Sequence, residues 1–156
     1  MRPTTIQITL ERYLPADVQL AIRHHILEVA EHMPSHESHA YDAEELCADG
    51  IRLWSARDDD SLLGIVALKN MGNAGEVKSM RVLPQYVGQG IGRALLLHII
   101  NEAKRIGYQK LYLEKAPIPY FLKAIDLYTA NGFVDCALWR LSPEFFSSIF
   151  FVGSVN

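Results

Sequence analysis

The chain has only two cysteines in its 156 residues, Cys47 and Cys136. They lie far apart and lack the paired spacing of a thiolate metal site, so both read as ordinary thiols rather than as a metal or disulfide framework. No apolar run is long enough to span a bilayer, and no basic, apolar, small-residue leader opens the sequence, which makes the cytoplasm the default expectation. Positive charge is not in excess: 15 Lys and Arg stand against 18 Asp and Glu, a formal net charge of −3. That balance provides no general attraction for nucleic acid or for an acidic membrane, and neither is expected as a partner. Repeats with a period of roughly 20–50 residues, low-complexity tracts and a Pro/Ser-rich linker are all missing. There is also no Gly-Lys-Ser/Thr phosphate loop and no acidic residue suitably placed for a ribose, which argues against a nucleotide binder.

What is present is the composition of a globular protein, 49% apolar and 21% charged, and residues 1–156 read as one domain with a substantial core. The most informative stretch runs from Val82 to Arg93, with glycines at alternate positions 88, 90 and 92. A β-rich run, Glu76 to Val82, enters it, and an amphipathic helix, Ile91 to Ile106, leaves it. Glycine lets a ligand approach the backbone, and the first turn of a helix has N–H groups without internal partners at the positive end of its dipole. A tight strand-to-helix turn needs glycine for its own sake, but this context favours an anion site of the pyrophosphate kind.

The remaining chain organises around that stretch. Thr5–Leu10 alternates as a half-buried strand. After Pro15 and Asp17, the positions Ile22, Ile26, Val29, Ala30 and Met33 mark one face of a helix closed by Pro34. A short helical piece is expected near Ala43–Ala48. Strands follow at Ile51–Arg57 and Leu62–Lys69, joined by the turn Asp58-Asp59-Asp60. The run Glu76–Val82 alternates, with Val77, Ser79 and Arg81 on one side and Glu76, Lys78, Met80 and Val82 on the other. In the long helix, Leu96, Ile99, Ile100, Ala103 and Ile106 form the inward stripe, Arg93, Asn101, Glu102, Lys104 and Arg105 face outward, and Gly107 supplies the stop. A strand at Lys110–Glu114 then pairs parallel to Glu76–Val82 through a crossover. A helix with Phe121, Ala124, Ile125 and Tyr128 on one face precedes two antiparallel strands, Phe133–Arg140 and Phe145–Val152. The apolar tail is expected both to enter the sheet as an interior strand and to contribute to a homodimer contact. The fold class is α/β: a mixed, mostly antiparallel sheet with one parallel βαβ crossover and helices on both faces.

Three segments, in order, carry a family likeness. Met80–Pro84 followed by Tyr86–Leu96 resembles the acetyl-CoA signature of the GNAT superfamily of N-acetyltransferases. Leu111–Glu114 resembles the family's fifth strand, and Ala124–Phe133 its A-x-x-L-Y-x-x-x-G-F segment. Two positions depart from the pattern. Val87 stands where the family has Arg or Gln, and Phe121 stands where many members have Asn.

The resemblance implies acetyl-CoA as co-substrate, with no metal, and a small-molecule, amino-acid or peptide amine as acceptor. Met80 and Val82, with Arg81 between them, would lie along the pantetheine arm. Backbone amides of Gly88, Gln89, Gly90, Ile91, Gly92 and Arg93 would hold the pyrophosphate. Direct transfer to an amine needs a base, a polarised thioester carbonyl and an acid for the departing thiolate. Tyr128 is the candidate acid, since a phenol donates a hydrogen bond to a thiolate; the competing reading is a core aromatic. Glu76 and Glu114 are the candidate bases, alone or together, against the alternative of solvated strand-end charges. His24, His25, His32, His36 and His39 cluster near the first helix. Pro34 interrupts the His32–His36 pair, which argues against a metal, and the resemblance places this segment along the acceptor pocket, where a histidine would join in proton transfer. Lys104, Arg105, Lys110 and Lys115 read as solvated surface. The alternative function is a non-catalytic acyl-CoA-binding sensor or subunit.

Overall fold

The computed structural model describes residues 5–32, 41–115, 118–136 and 149–154. Its elements are β1 (Gln7–Glu11), α1 (Ala16–His32), α2 (Ala43–Leu46), β2 (Ile51–Asp58), β3 (Ser61–Asn70), β4 (Ala74–Val82), α3 (Ile91–Ile106), β5 (Lys110–Lys115), α4 (Leu122–Ala130), β6 (Val134–Cys136) and β7 (Ile149–Ser154). The strands form one sheet in the order β1-β2-β3-β4-β5-β7-β6. Every neighbouring pair is antiparallel except β4 and β5, which run parallel because α3 carries the chain back over the sheet between them. This is the mixed sheet the sequence predicts. β7 lies between β5 and β6, so the apolar tail does enter the sheet as an interior strand. The expected strand residues 137–140 and 145–148 lie outside the described residues, as do Met33, Pro34, His36 and His39.

Helices cover both faces. Against one face, Ile91, Leu95, Leu96, Ile99 and Ala103 of α3 pack with Tyr128 and Phe133 onto Leu63, Val66, Leu68, Val77, Leu111 and Leu113. Against the other, Val18, Ala21 and Ile22 of α1 and Leu46 of α2 pack onto Leu53, Ile65 and Ala67. Side-chain areas of this size, removed from water at about 25 cal/mol per Å² of apolar surface, dominate the favourable side of folding. The α3 stripe is rotated from the expected one: Leu95 is fully buried, whereas Ile100 and Ile106 pack only at its margin. In α1, Ala30 is exposed and His25 is buried with Ala21, Ile22 and Val29.

The strict alternation expected along β4 does not hold. Its register with β3 passes from Ala67↔Lys78 to Ile65↔Arg81, so β4 has one residue more than β3 between these pairs. Ser79, at φ 51, is the bulged residue. The extra residue reverses the parity of the strand. Val77, Met80 and Val82 all pack with the α3 core. Glu76, Lys78 and Arg81 meet side chains of the opposite layer, Tyr41 beside Lys78 and Glu28 of α1 beside Arg81. Glu76 therefore does not share a face with Met80 and Val82, as simple alternation predicts.

Gly64 makes the bulge possible from the other side. A Cβ there would lie 2.7 Å from the Arg81 carbonyl oxygen and 3.1 Å from Leu95 Cδ1. Replacing Gly64 with Ala is predicted to lower unfolding free energy by about 1–3 kcal/mol, because a backbone atom is the obstacle. Urea denaturation of the variant checks this; an unchanged midpoint and slope would contradict it.

Candidate active site

The three parallel pairs between β4 and β5 end at Glu76↔Tyr112. Beyond them β4 bulges, the two strands part, and a cleft of ≈ 700 Å³ opens along the gap. That volume is in the range of sites for small organic ligands. Met80, Arg81 and Val82 of β4 and Lys115 of β5 supply its floor. The loop after β4 and the start of α3 line one end. Tyr120, Phe121 and the first turns of α4 form a wall, and His25 and Glu28 of α1 close the other side.

The loop end presents free backbone donors and positive charge. Gly90 caps α3 at φ 84, a left-handed conformation that disfavours a side chain, and Gly88 adopts the same φ. Nothing lies within 4 Å of where a Cβ would sit on either residue, so the backbone is open to an approaching group. The first helical bond runs from the Ala94 amide to the Gly90 carbonyl, 3.1 Å. The amides of Ile91, Gly92 and Arg93 thus precede the hydrogen-bonded part of the helix and point along its axis. Arg93 and Lys123 add positive charge to the lining. Val87 lines the cleft as an apolar, half-exposed residue. These features fit a diphosphate group carried on a long arm: donors at the helix mouth, cations beside them, and an open gap between strands leading inward.

Tyr128 is not itself among the residues lining the cleft but lies behind one of them, Met80. Its side chain is 1% exposed, its ring packs edge-on to Phe133 at 5.5 Å, and its hydroxyl is 3.8 Å from Met80 Sδ. Burial raises its pKa well above the ordinary phenol range, so it remains a proton donor throughout the working pH range. Tyr128 is thus a core aromatic whose hydroxyl touches a cleft-lining side chain.

The two glutamates stand elsewhere. Glu76 is 1% exposed, and its Oε2 is 3.4 Å from Lys78 Nζ. Glu114 is half-buried on β5, and its charge acts on both Lys78 and Lys115. Neither is among the residues lining the cleft. Glu76 and Lys78 form a buried charged pair on β4, with the Lys78 ammonium 4.2 Å from the centre of the Tyr41 ring.

On the α1 side, Arg81 bonds Glu28 at 2.5 Å, which ties the helix to the central strand. His32 stacks on Tyr120 at 4.1 Å, joining the end of α1 to the wall ahead of α4. His25 is buried, and its Nδ1 has no hydrogen-bond partner among the described residues. Desolvation, with Lys115 and Arg81 nearby, pulls its pKa down to about 3, so it is neutral. His24, by contrast, is exposed. Lys115 is the clearest correction to the sequence reading: it lines the cleft instead of facing solvent, with Nζ 5.1 Å from the Phe121 ring centre. A terminal lysine on a strand looks like surface until the next segment folds over it. His25 had a readable signal, since it lies three and four residues from Ile22 and Ala21 and four from Val29 on one helical face.

Among the described residues no group of three or more His, Cys, Asp or Glu is placed to hold a metal, and no helix is long and apolar enough to cross a membrane.

The profile of the Acetyltransferase (GNAT) family matches residues 21–133, a span that runs from α1 through the cleft to the end of α4. The chain belongs to this family. It is 35% identical over 131 residues to YedL of Escherichia coli (strain K12), described as an uncharacterized N-acetyltransferase, covering 81% of this chain and 82% of that protein. The fold is shared with an acyl-CoA N-acyltransferase structure from Klebsiella pneumoniae (TM-score 0.76, 22% identity, 97% of this chain and 99% of that one). It is also shared with N-acetylglutamate synthase from Neisseria gonorrhoeae, solved with coenzyme A and N-acetyl-glutamate (TM-score 0.72, 20% identity, 96% of this chain and 35% of that one).

His25 yields a pH prediction. Its pKa is near 6.5 in the unfolded chain and about 3 in the folded one, so between those values the unfolded state binds the extra proton. Stability must then rise with pH across that window, with a slope approaching about 1.4 kcal/mol per pH unit from this group. Denaturation of wild type and His25→Gln from pH 4 to pH 7 measures it, and the variant should lose that part of the slope. Equal slopes would show that His25 is not buried neutral.

Proposed function

We propose that the protein is an N-acetyltransferase that moves the acetyl group of acetyl-CoA directly to a primary amine of a small molecule, amino acid or peptide. The observation that supports this reading best is the continuity of one cleft. It begins at the unpaired amides of the α3 start, runs between the parted strands, and reaches Met80, whose sulfur the Tyr128 hydroxyl touches. A carrier with a diphosphate at one end and a thioester at the other matches that layout.

In this reading, Gly88, Gln89, Gly90, Ile91, Gly92 and Arg93 hold the diphosphate through backbone amides, which the Val87 departure leaves untouched. The exposed edge of β4 at Met80, Arg81 and Val82 receives the extended arm. Phe121, where relatives of the superfamily often carry Asn, gives the wall an apolar surface instead of a polar contact. The bound thioester supplies an activated acyl carbon. The amine nitrogen bonds to that carbon, the carbon–sulfur bond breaks, and Tyr128 donates a hydrogen bond to the departing sulfur. The amine's proton leaves through water to Glu114, the nearer glutamate to Lys115 at the cleft, while Glu76 holds Lys78 in place beside it. No covalent enzyme intermediate is needed.

The rival reading, an acyl-CoA sensor, uses the same loop but has no need of the Tyr128 hydroxyl. Thiol release from acetyl-CoA over a broad amine panel tests the activity. With the amine identified, Tyr128→Phe should reduce kcat about 100-fold or more with the acetyl-CoA dissociation constant held within a few-fold. Background thiol release with every amine, while acetyl-CoA binds, would favour the sensor.

A further inference from the structure

The half of the cleft away from the loop carries a cation, Lys115, that no described lining residue pairs with; the Glu114 carboxylate acts on it from outside the lining, against the opposing Lys78. Among the described residues, the lining holds four cations, Arg81, Arg93, Lys115 and Lys123, and one carboxylate, Glu28. Arg93 and Lys123 belong to the loop end, where a diphosphate would meet them. Glu28 is engaged by Arg81. That leaves Lys115, which forms no ion pair with a carboxylate among the described residues; its ammonium lies against the Phe121 ring. His25 faces the same space as a neutral ring with an unpartnered Nδ1, so it adds no negative charge.

Amines arrive in water mainly as ammonium ions. A plain alkylammonium would enter a cleft of positive balance and be repelled, more strongly as water is displaced. An acceptor that brings its own negative group reverses the sign of that interaction. We propose that the acceptor is an amine bearing a carboxylate, of the amino-acid class, and that Lys115 receives the carboxylate; this rests on the acetyltransferase reading above. The amine nitrogen is then turned toward Met80 and the thioester, and Tyr120 and Phe121 offer apolar surface to the remaining side chain. Burial, and Lys78 nearby, pull the Lys115 pKa down to about 8 with Glu114 opposing, the behaviour of a cation short of a counter-ion. Lys115 is in this view a specificity-determining residue that takes no part in the chemical step.

The test uses the full chain, acetyl-CoA and thiol-release kinetics with the standard amino acids, each paired with its decarboxylated amine. At least one amino acid should exceed its amine partner in kcat/KM by about 30-fold or more, in keeping with the loss of one desolvated charge pair. The matching deaminated acid should compete with it. Lys115→Met should raise the KM for that amino acid by a similar factor with the KM for acetyl-CoA unchanged, and Lys115→Arg should restore most of it. Unchanged acetyl-CoA binding in both variants shows that they fold. Amines acetylated as well as or better than their acids, or an acceptor KM indifferent to Lys115→Met, would overturn the inference and leave the acetyltransferase reading standing. No turnover of either class, with acetyl-CoA bound, would overturn both.

Discussion

One extra residue in β4 sets the geometry of everything around it. With strict pairing, β4 and β5 would run side by side to their ends and close the sheet. The bulge at Ser79 turns the strand instead, so parallel pairing stops at Glu76↔Tyr112 and the strands separate. The separation creates an interior edge of backbone amides and carbonyls that the sheet does not consume. It also sends Met80 and Val82 toward α3 and α4, and Arg81 toward α1. A strained residue at the centre of a sheet persists only where the surroundings hold it. Here Gly64 gives the Arg81 carbonyl room, and the Arg81–Glu28 bond anchors the strand beyond the bulge to α1.

The charged layer under the cleft is the second consequence. Because the bulge reverses parity, Glu76 and Lys78 are drawn into the sheet's interior on the α1 side, and both are almost fully buried. Burying either alone would cost several kcal/mol. Together they pair through Glu76 Oε2, with Tyr41 over the Lys78 ammonium and Lys69 bonded to the Tyr41 hydroxyl at 2.8 Å. Burial lowers the pKa of Lys78 in this layer and of the cleft-lining Lys115.

Much of this was legible in the sequence. The glycines at 88, 90 and 92 between an alternating strand and a 3.6-period helix located the helix mouth that lines the cleft, and the bounds of α3 agree with the expected Ile91 to Ile106. The parallel crossover followed from strand, helix and strand in succession. What pattern reading missed has physical causes. Alternation cannot reveal a bulge, since Ser79 looks like any polar residue on a period-two strand, and so Glu76 was placed on the wrong face. Lys115 and His25 were misjudged or left among a crowd of histidines because their surroundings come from distant segments: Phe121 folds over one, and the β4–β5 gap receives the other.

The account stands on the helix mouth and the parted strands forming one site for a diphosphate-linked thioester carrier. Isothermal titration of the purified chain with CoA and with acetyl-CoA measures this most directly. Saturable binding at one site per chain, with a dissociation constant well below about 1 mM, is the predicted result. Absence of any heat or thermal-shift response to either compound up to that concentration would contradict it.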